Sequence, residues 1–209
     1  MWLSLEFVWR VSRRVLCVVI LAILVASGRA QKPATPAKSP QQKIQDTTGV
    51  VNGVYRNTTF GFSYKLPYGW VDRTVDMSEG AEAGKSIVLL SAFERPPEAI
   101  GEGVNSAVVI AAESVKSYPG LKAAEEYFGP LTELTTSKGF KVVNEPYAFS
   151  SGTKEMVRSD FVRELGSASM HQSSLVILQK GFALSFTFIG GSEDEVNQLI
   201  ENLSFAAKK

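Results

Sequence analysis

Residues 174–205 read SLVILQKGFALSFTFIGGSEDEVNQLIENLSF, and the fold turns on them. Leu175-Val176-Ile177-Leu178 is apolar on both faces of any strand it forms. Lys180-Gly181 then supplies a tight turn, and Phe182, Leu184, Phe186 and Phe188 alternate with a second face that carries Ala183 and Ile189. A strand apolar on both faces needs cover on both sides, which here is expected to come from helices. One such helix follows at once. Ser192-x-x-Glu195 has the spacing of a capping box, and Val196, Leu199, Ile200 and Leu203 form the apolar stripe behind it.

Upstream, alternating runs near 141–149, 154–165, 170–178 and 182–189 are separated by Ser-Gly, Gly-Ser and Lys-Gly turns. Connections that short make antiparallel neighbours, since a parallel pair needs a long crossover. Leu121, Ala124, Phe128, Leu131 and Leu134 recur at helical spacing, and Gly129-Pro130 predicts a kink there, or a break with a second short helix. The runs 86–93 and 106–113 are β-rich. Val54–Asn57 and Phe62–Leu66 predict a hairpin, after which Pro67 and Gly69 turn the chain. The expected class is α+β, an antiparallel sheet between helices in an α/β/α sandwich.

The chain has 209 residues, 44% hydrophobic and 21% charged, which suits one ordinary domain with added length. Arg10, Arg13 and Arg14 precede a 12-residue apolar run from Val15 to Ala26, with Gly28 and Ala30 at the −3 and −1 positions of a cut before Gln31. A spanning helix needs about 20 apolar residues, whereas a signal-peptide core has about 7–15. Residues 1–30 are therefore expected to be a cleavable signal, with an uncleaved membrane anchor as the alternative that the apolar start (Trp2, Leu3, Leu5, Phe7) favours. Residues 31–53, with Pro33, Pro36 and Pro40, read as a flexible Pro/Ala/Lys-rich linker, and 54–209 as the domain. Loss of 1–30 removes four arginines and one glutamate and leaves 18 basic against 20 acidic residues. No basic excess then argues for nucleic acid. The single cysteine, Cys17, lies in the signal, so the mature chain has no disulfide.

Tyr55-x-Asn57-x-x-Phe60-Gly61-Phe62-x-x-x-x-Pro67-x-Gly69-Trp70 is similar to the opening hairpin of PsbP-like domains, and the meander with a Phe-rich strand and a Ser-Glu-Asp-Glu helix is similar to their second half. The resemblance covers roughly residues 54–205. It implies an exported domain with an α/β/α fold, used for binding or assembly without catalysis. Its motifs are structural, so no functional residue is carried over from it.

The candidate sites are few. Gly80-Ala-Glu-Ala-Gly84-Lys85-Ser86 has three residues between its glycines where a phosphate loop has four, and it runs into a strand, so no nucleotide is expected. Asp72, Asp76, Glu79 and Glu82 form the densest acidic stretch, a weak candidate for calcium, which prefers oxygen ligands. His171 is the only histidine, and no Gly-x-Ser-x-Gly elbow accompanies it. Tyr68, beside a turn, joins Asp76, Glu79 and Glu82 as a candidate partner-binding rim. The function expected is an exported, non-catalytic binding or assembly module of the cell envelope, meeting a protein partner and using no cofactor. The alternative is an envelope enzyme, or a small-ligand or calcium binder, with a pocket between sheet and helix. The location expected is secreted or periplasmic, or anchored through residues 1–30 with the domain outside.

Overall fold

The structure, a computed structural model, describes residues 48–78, 86–99, 101 and 103–205. The expected signal and most of the expected linker lie outside the described residues, as do Glu79 and Glu82. Two antiparallel sheets and three helices make up what is described.

The smaller sheet has four strands. β1 (Thr48–Val51) and β2 (Val54–Asn57) are joined by Asn52-Gly53, both with positive φ (51° and 70°). That is the backbone of a two-residue hairpin turn, which the Asn-Gly pair adopts with little strain. The linker reading is therefore corrected at its end: 48–53 is a hairpin of the domain. β3 (Phe62–Lys65) pairs with β2 after a turn set by Asn57, whose side-chain oxygen accepts the Phe60 amide at 2.9 Å. β11 (Leu203–Phe205) closes the sheet against β3, in the order β1-β2-β3-β11.

The larger sheet runs β4-β5-β6-β10-β9-β8-β7. Its strands are β4 (Val71–Asp72), β5 (Ser86–Phe93), β6 (Ala107–Ser114), β7 (Lys141–Ser151), β8 (Lys154–Leu165), β9 (Ala168–Gln179) and β10 (Phe182–Gly190). The helices are α1 (Thr74–Ser78), α2 (Ala124–Thr136) and α3 (Glu193–Glu201), and a 3-10 turn spans Val115–Ser117. β10 is the middle strand, as its two apolar faces require.

On one face of β10, Phe186 meets Phe62 of β3 at 5.2 Å and Phe205 of β11 at 6.0 Å between ring centroids, both edge-on. Leu184, Phe188 and the α3 residues Val196, Leu199 and Ile200 belong to the same core. On the other face, α2 sets Tyr127, Phe128 and Leu131 against Phe161, Met170, Val176 and Ala183. One cover is therefore a helix together with a small sheet, where helices alone were expected. The physical reason lies in Tyr55, Phe62 and Tyr64, alternate residues whose apolar face needs a partner, and the Phe row of β10 supplies it.

Two local expectations also change. Pro130 sits inside α2 and does not break it. Both Gly129 and Pro130 face solvent, so the acceptor that Pro130 leaves unfilled is on the watered side, while Phe128 and Leu131 pin the helix from the core. At α3, Ser192 Oγ accepts the Glu195 amide at 3.2 Å, but the Glu195 carboxylate takes the Gly191 amide at 2.8 Å and the Ser106 hydroxyl. The reciprocal arm of the box thus reaches one residue further back and fastens the helix to the loop before β6. No helix among the described residues is long and apolar enough to cross a membrane.

Candidate functional site

Tyr68 occupies the corner of the turn Pro67–Trp70, in which the Trp70 amide donates to the Pro67 carbonyl at 3.3 Å. Gly69 has φ +83°, the left-handed value that a type II turn demands at its third residue and that glycine accepts without strain. The Tyr68 side chain is fully exposed, while its neighbour Trp70 packs partly buried on the core. The Leu66 amide donates to the Gly53 carbonyl at 2.8 Å, which ties this turn to the β1–β2 hairpin, where Val51 is 62% exposed. A tight turn therefore holds an aromatic ring in water, and the hairpin bonded to the same stretch of chain carries an exposed valine.

The described acids of the predicted acidic stretch, Asp72 and Asp76, have local partners. Asp72 accepts both the amide (2.9 Å) and the hydroxyl (2.6 Å) of Thr74, starting α1. Asp76 pairs with Arg73 at 3.0 Å, and Arg73 also holds Glu98. Carboxylates so engaged offer a hard cation few free oxygens, and among the described residues no three His, Cys, Asp or Glu side chains converge as a metal set. His171 is half-buried in β9, opposite Gly190 and Val162 of the flanking strands.

Two polar groupings were not anticipated. In the first, Arg158 and Asp160 of β8 share a strand face and pair at 2.7 Å, both well buried. Arg158 also donates to Ser173 Oγ (3.0 Å) and to Asn197 Oδ1 of α3 (2.9 Å), with its guanidinium 5.4 Å from the Phe149 ring centre. Asp160 further accepts from Ser173, Asn144 (3.0 Å) and Tyr147 (3.0 Å). Burial works against ionisation of Asp160, but the bonds from Ser173, Arg158 and Asn144 outweigh it and hold the carboxyl below its usual range. Tyr147 is pushed up to about 12, mainly by burial. With its oxygens filled, this grouping clasps β7, β8, β9 and α3 together and leaves no reactive group free. No local signal marked it, because Ser173 is one of several polar residues in the first half of β9, with Ser169, His171, Gln172 and Ser174.

In the second, Glu113 of β6 is 4% exposed and accepts the Tyr118 hydroxyl. Burial raises its carboxyl above the usual range, against the opposing pull of Tyr118 and Tyr127. The Tyr118 and Tyr127 rings meet edge-on at 5.2 Å. Both phenols are raised, by burial first and by Glu113 second.

No family model matches the chain, and no curated protein does. Among solved structures it is similar to cyanobacterial PsbP from Synechocystis. The identity is 20%, covering 73% of this chain and 91% of that one, with a TM-score of 0.48. It is also similar to LpqN, a protein involved in cell envelope biogenesis of Mycobacterium tuberculosis, at 12% identity, 83% and 100% coverage and a TM-score of 0.42. A Bacteroides thetaiotaomicron protein is similar at 14% identity and a TM-score of 0.36, over 71% of this chain and 46% of its own. No activity or partner of those proteins is transferred to this chain.

Proposed function

We propose that the domain is a non-catalytic binding module of the cell envelope, exported by residues 1–30, that meets a protein partner through the Tyr68 turn. The observation that carries this reading is the fully exposed Tyr68 ring on a turn fixed by Gly69 and anchored by Trp70. Tyrosine presented rigidly gives large contact area at low entropic cost, and such residues dominate interface energies. Val51 adds apolar surface on the adjoining hairpin, and Asp76 is the described acid of the expected contact rim. The chemical inventory supports binding over catalysis: Asp160 is saturated by hydrogen bonds and Asp72 is spent on a helix start.

The test is capture of partners from the native envelope fraction by the purified domain and by Tyr68→Ala. The variant should keep its melting temperature and lose capture about tenfold or more, as for an interface anchor worth about 2 kcal/mol. Equal capture by both proteins overturns the assignment of the turn.

A further inference from the structure

The two sheets end in four edge strands, β1 and β11 in the small one, β4 and β7 in the large one. Three of these edges are poor templates for another strand. β4 has two residues and β11 three. β7 is long, but it carries Lys141, Glu145 and Pro146, and its register with β8 shifts twice between Val142 and Tyr147. Shortness, charge, proline and bulges are the devices that keep an edge from pairing with a second chain. β1, Thr48-Gly49-Val50-Val51, has no charge, no proline and an unbroken register with β2.

The hairpin geometry identifies its free groups. A two-residue turn closes on a hydrogen-bonded pair, here Val51 and Val54, and such pairs alternate along the ladder, so Gly49 and Arg56 form the next. Thr48 and Val50 therefore turn their N–H and C=O groups away from β2. Neither residue makes a main-chain bond elsewhere among the described residues. Val50 is 37% exposed and lies opposite Tyr55, on the side where Tyr55 and Phe62 pack together, so it marks the open rim of that core. On the other face Gly49 lies opposite Arg56, and a Cβ at Gly49 would meet nothing within 4 Å. Arg56 is exposed and enters no ion pair among the described residues. No side chain of Gly49 stands between its guanidinium and a strand added outside β1, about 10 Å from β2.

We propose that β1 receives an extended segment of a partner protein as a fifth strand of the small sheet, a segment in which apolar and acidic residues alternate. Thr48 and Val50 supply the main-chain bonds. The apolar side chain opposite Val50 prolongs the core, and the acidic one opposite Gly49 meets Arg56. A second copy of this chain fits less well, because two β1 strands paired about a two-fold axis bring two Arg56 side chains to one face. This contact goes beyond the Tyr68 turn and does not rest on it.

The intact purified protein is titrated with the peptide acetyl-Val-Glu-Val-Glu-Val-Glu amide, followed by amide chemical shifts and calorimetry. Two control peptides have lysine in place of glutamate, or N-methyl groups on the valines. Saturable binding of the first peptide, with shifts centred on residues 48–51 and 56, is expected. The methylated control should not bind, because it lacks the N–H donors that face β1. Val50→Pro should weaken binding about tenfold or more, since it removes the outward N–H of β1 while the bonds to β2 run from residues 49 and 51. Arg56→Ala should weaken it by about two- to fivefold, the worth of an exposed ion pair, and leaves the edge itself intact should Val50→Pro unfold the hairpin. No saturable binding, equal binding of either control, or undiminished binding by Val50→Pro overturns the proposal. None of these results bears on the Tyr68 turn, which is tested by capture.

Discussion

Glu113 and Asp160 are carboxyls buried in one sheet and driven in opposite directions. Asp160 has more hydrogen-bond donors than its burial costs, and Glu113 has fewer. Their contributions to stability therefore have opposite pH dependence. The depressed Asp160 group stabilises the fold above the ordinary carboxylate range, and that contribution is lost as pH falls through its folded value. The raised Glu113 group contributes fully below its unfolded value and loses that contribution as pH rises through its folded value. Glu113→Gln is expected to raise the urea midpoint at pH 7 and to leave it nearly unchanged at pH 3. Asp160→Asn should cost about 3–5 kcal/mol at pH 7 by stranding Arg158, and markedly less in acid, where the wild-type pair is itself being dismantled. Denaturation of the three proteins at both pH values checks the signs. At this scale the sequence was uneven: Tyr68 beside Pro67 and Gly69 was legible as a turn residue, but its full exposure was not, because an aromatic in a hairpin cluster is expected more often in the core. The Arg158 clasp was not, because its partners Ser173 and Asn197 are distant in sequence and a charged pair at i, i+2 reads as a solvent face. Nor was Glu113, the polar end of an apolar run, until Tyr127 arrived from a helix.

The elements were easier to read, because periodicity and turn residues act locally. β5, β8 and β10 fall within a residue of their expected ends, and Gly152, Gly166 and Gly181 turn the meander with positive φ. β1 was hidden because Asn52-Gly53, a strong hairpin signal, follows a Pro-rich segment and was absorbed into it. Phe186 was placed correctly in the central sheet, but beneath the small sheet, since strand pairing at long range is invisible to local pattern. Phe186→Ala should lower stability by about 3–5 kcal/mol, because Phe62 and Phe205 cannot both collapse into the space left behind. Pro130→Ala should act in the other direction. It restores a helical N–H donor on the exposed side of α2 and is expected to stabilise the domain by up to about 3 kcal/mol. Thermal melts of both variants test these element-level claims.

For the molecule as a whole, the decisive arrangement is one long sheet with unlike covers, α2 on one side and a hairpin sheet with α3 on the other. The covers differ in how they are held. α2 packs on β7, β8 and β9, which follow it directly in sequence, whereas the small sheet is completed by β11. A chain ending at Asn202 should leave the β3 edge and the Phe62 and Phe186 rings open to water. It is expected to bind a hydrophobic dye strongly and to melt at lower temperature while keeping its strand signal in circular dichroism.

The pairing of β3 with β11 joins Phe62 to Phe205 across nearly the whole domain. During synthesis the aromatic hairpin therefore emerges among the first elements and waits for its closing strand until almost everything else has left the ribosome. At about 5–20 residues per second, that interval is on the order of ten seconds, during which a ready strand edge and its rings need shielding. Refolding from denaturant, where all strands are available at once, is expected to expose that edge for a much shorter time than synthesis does.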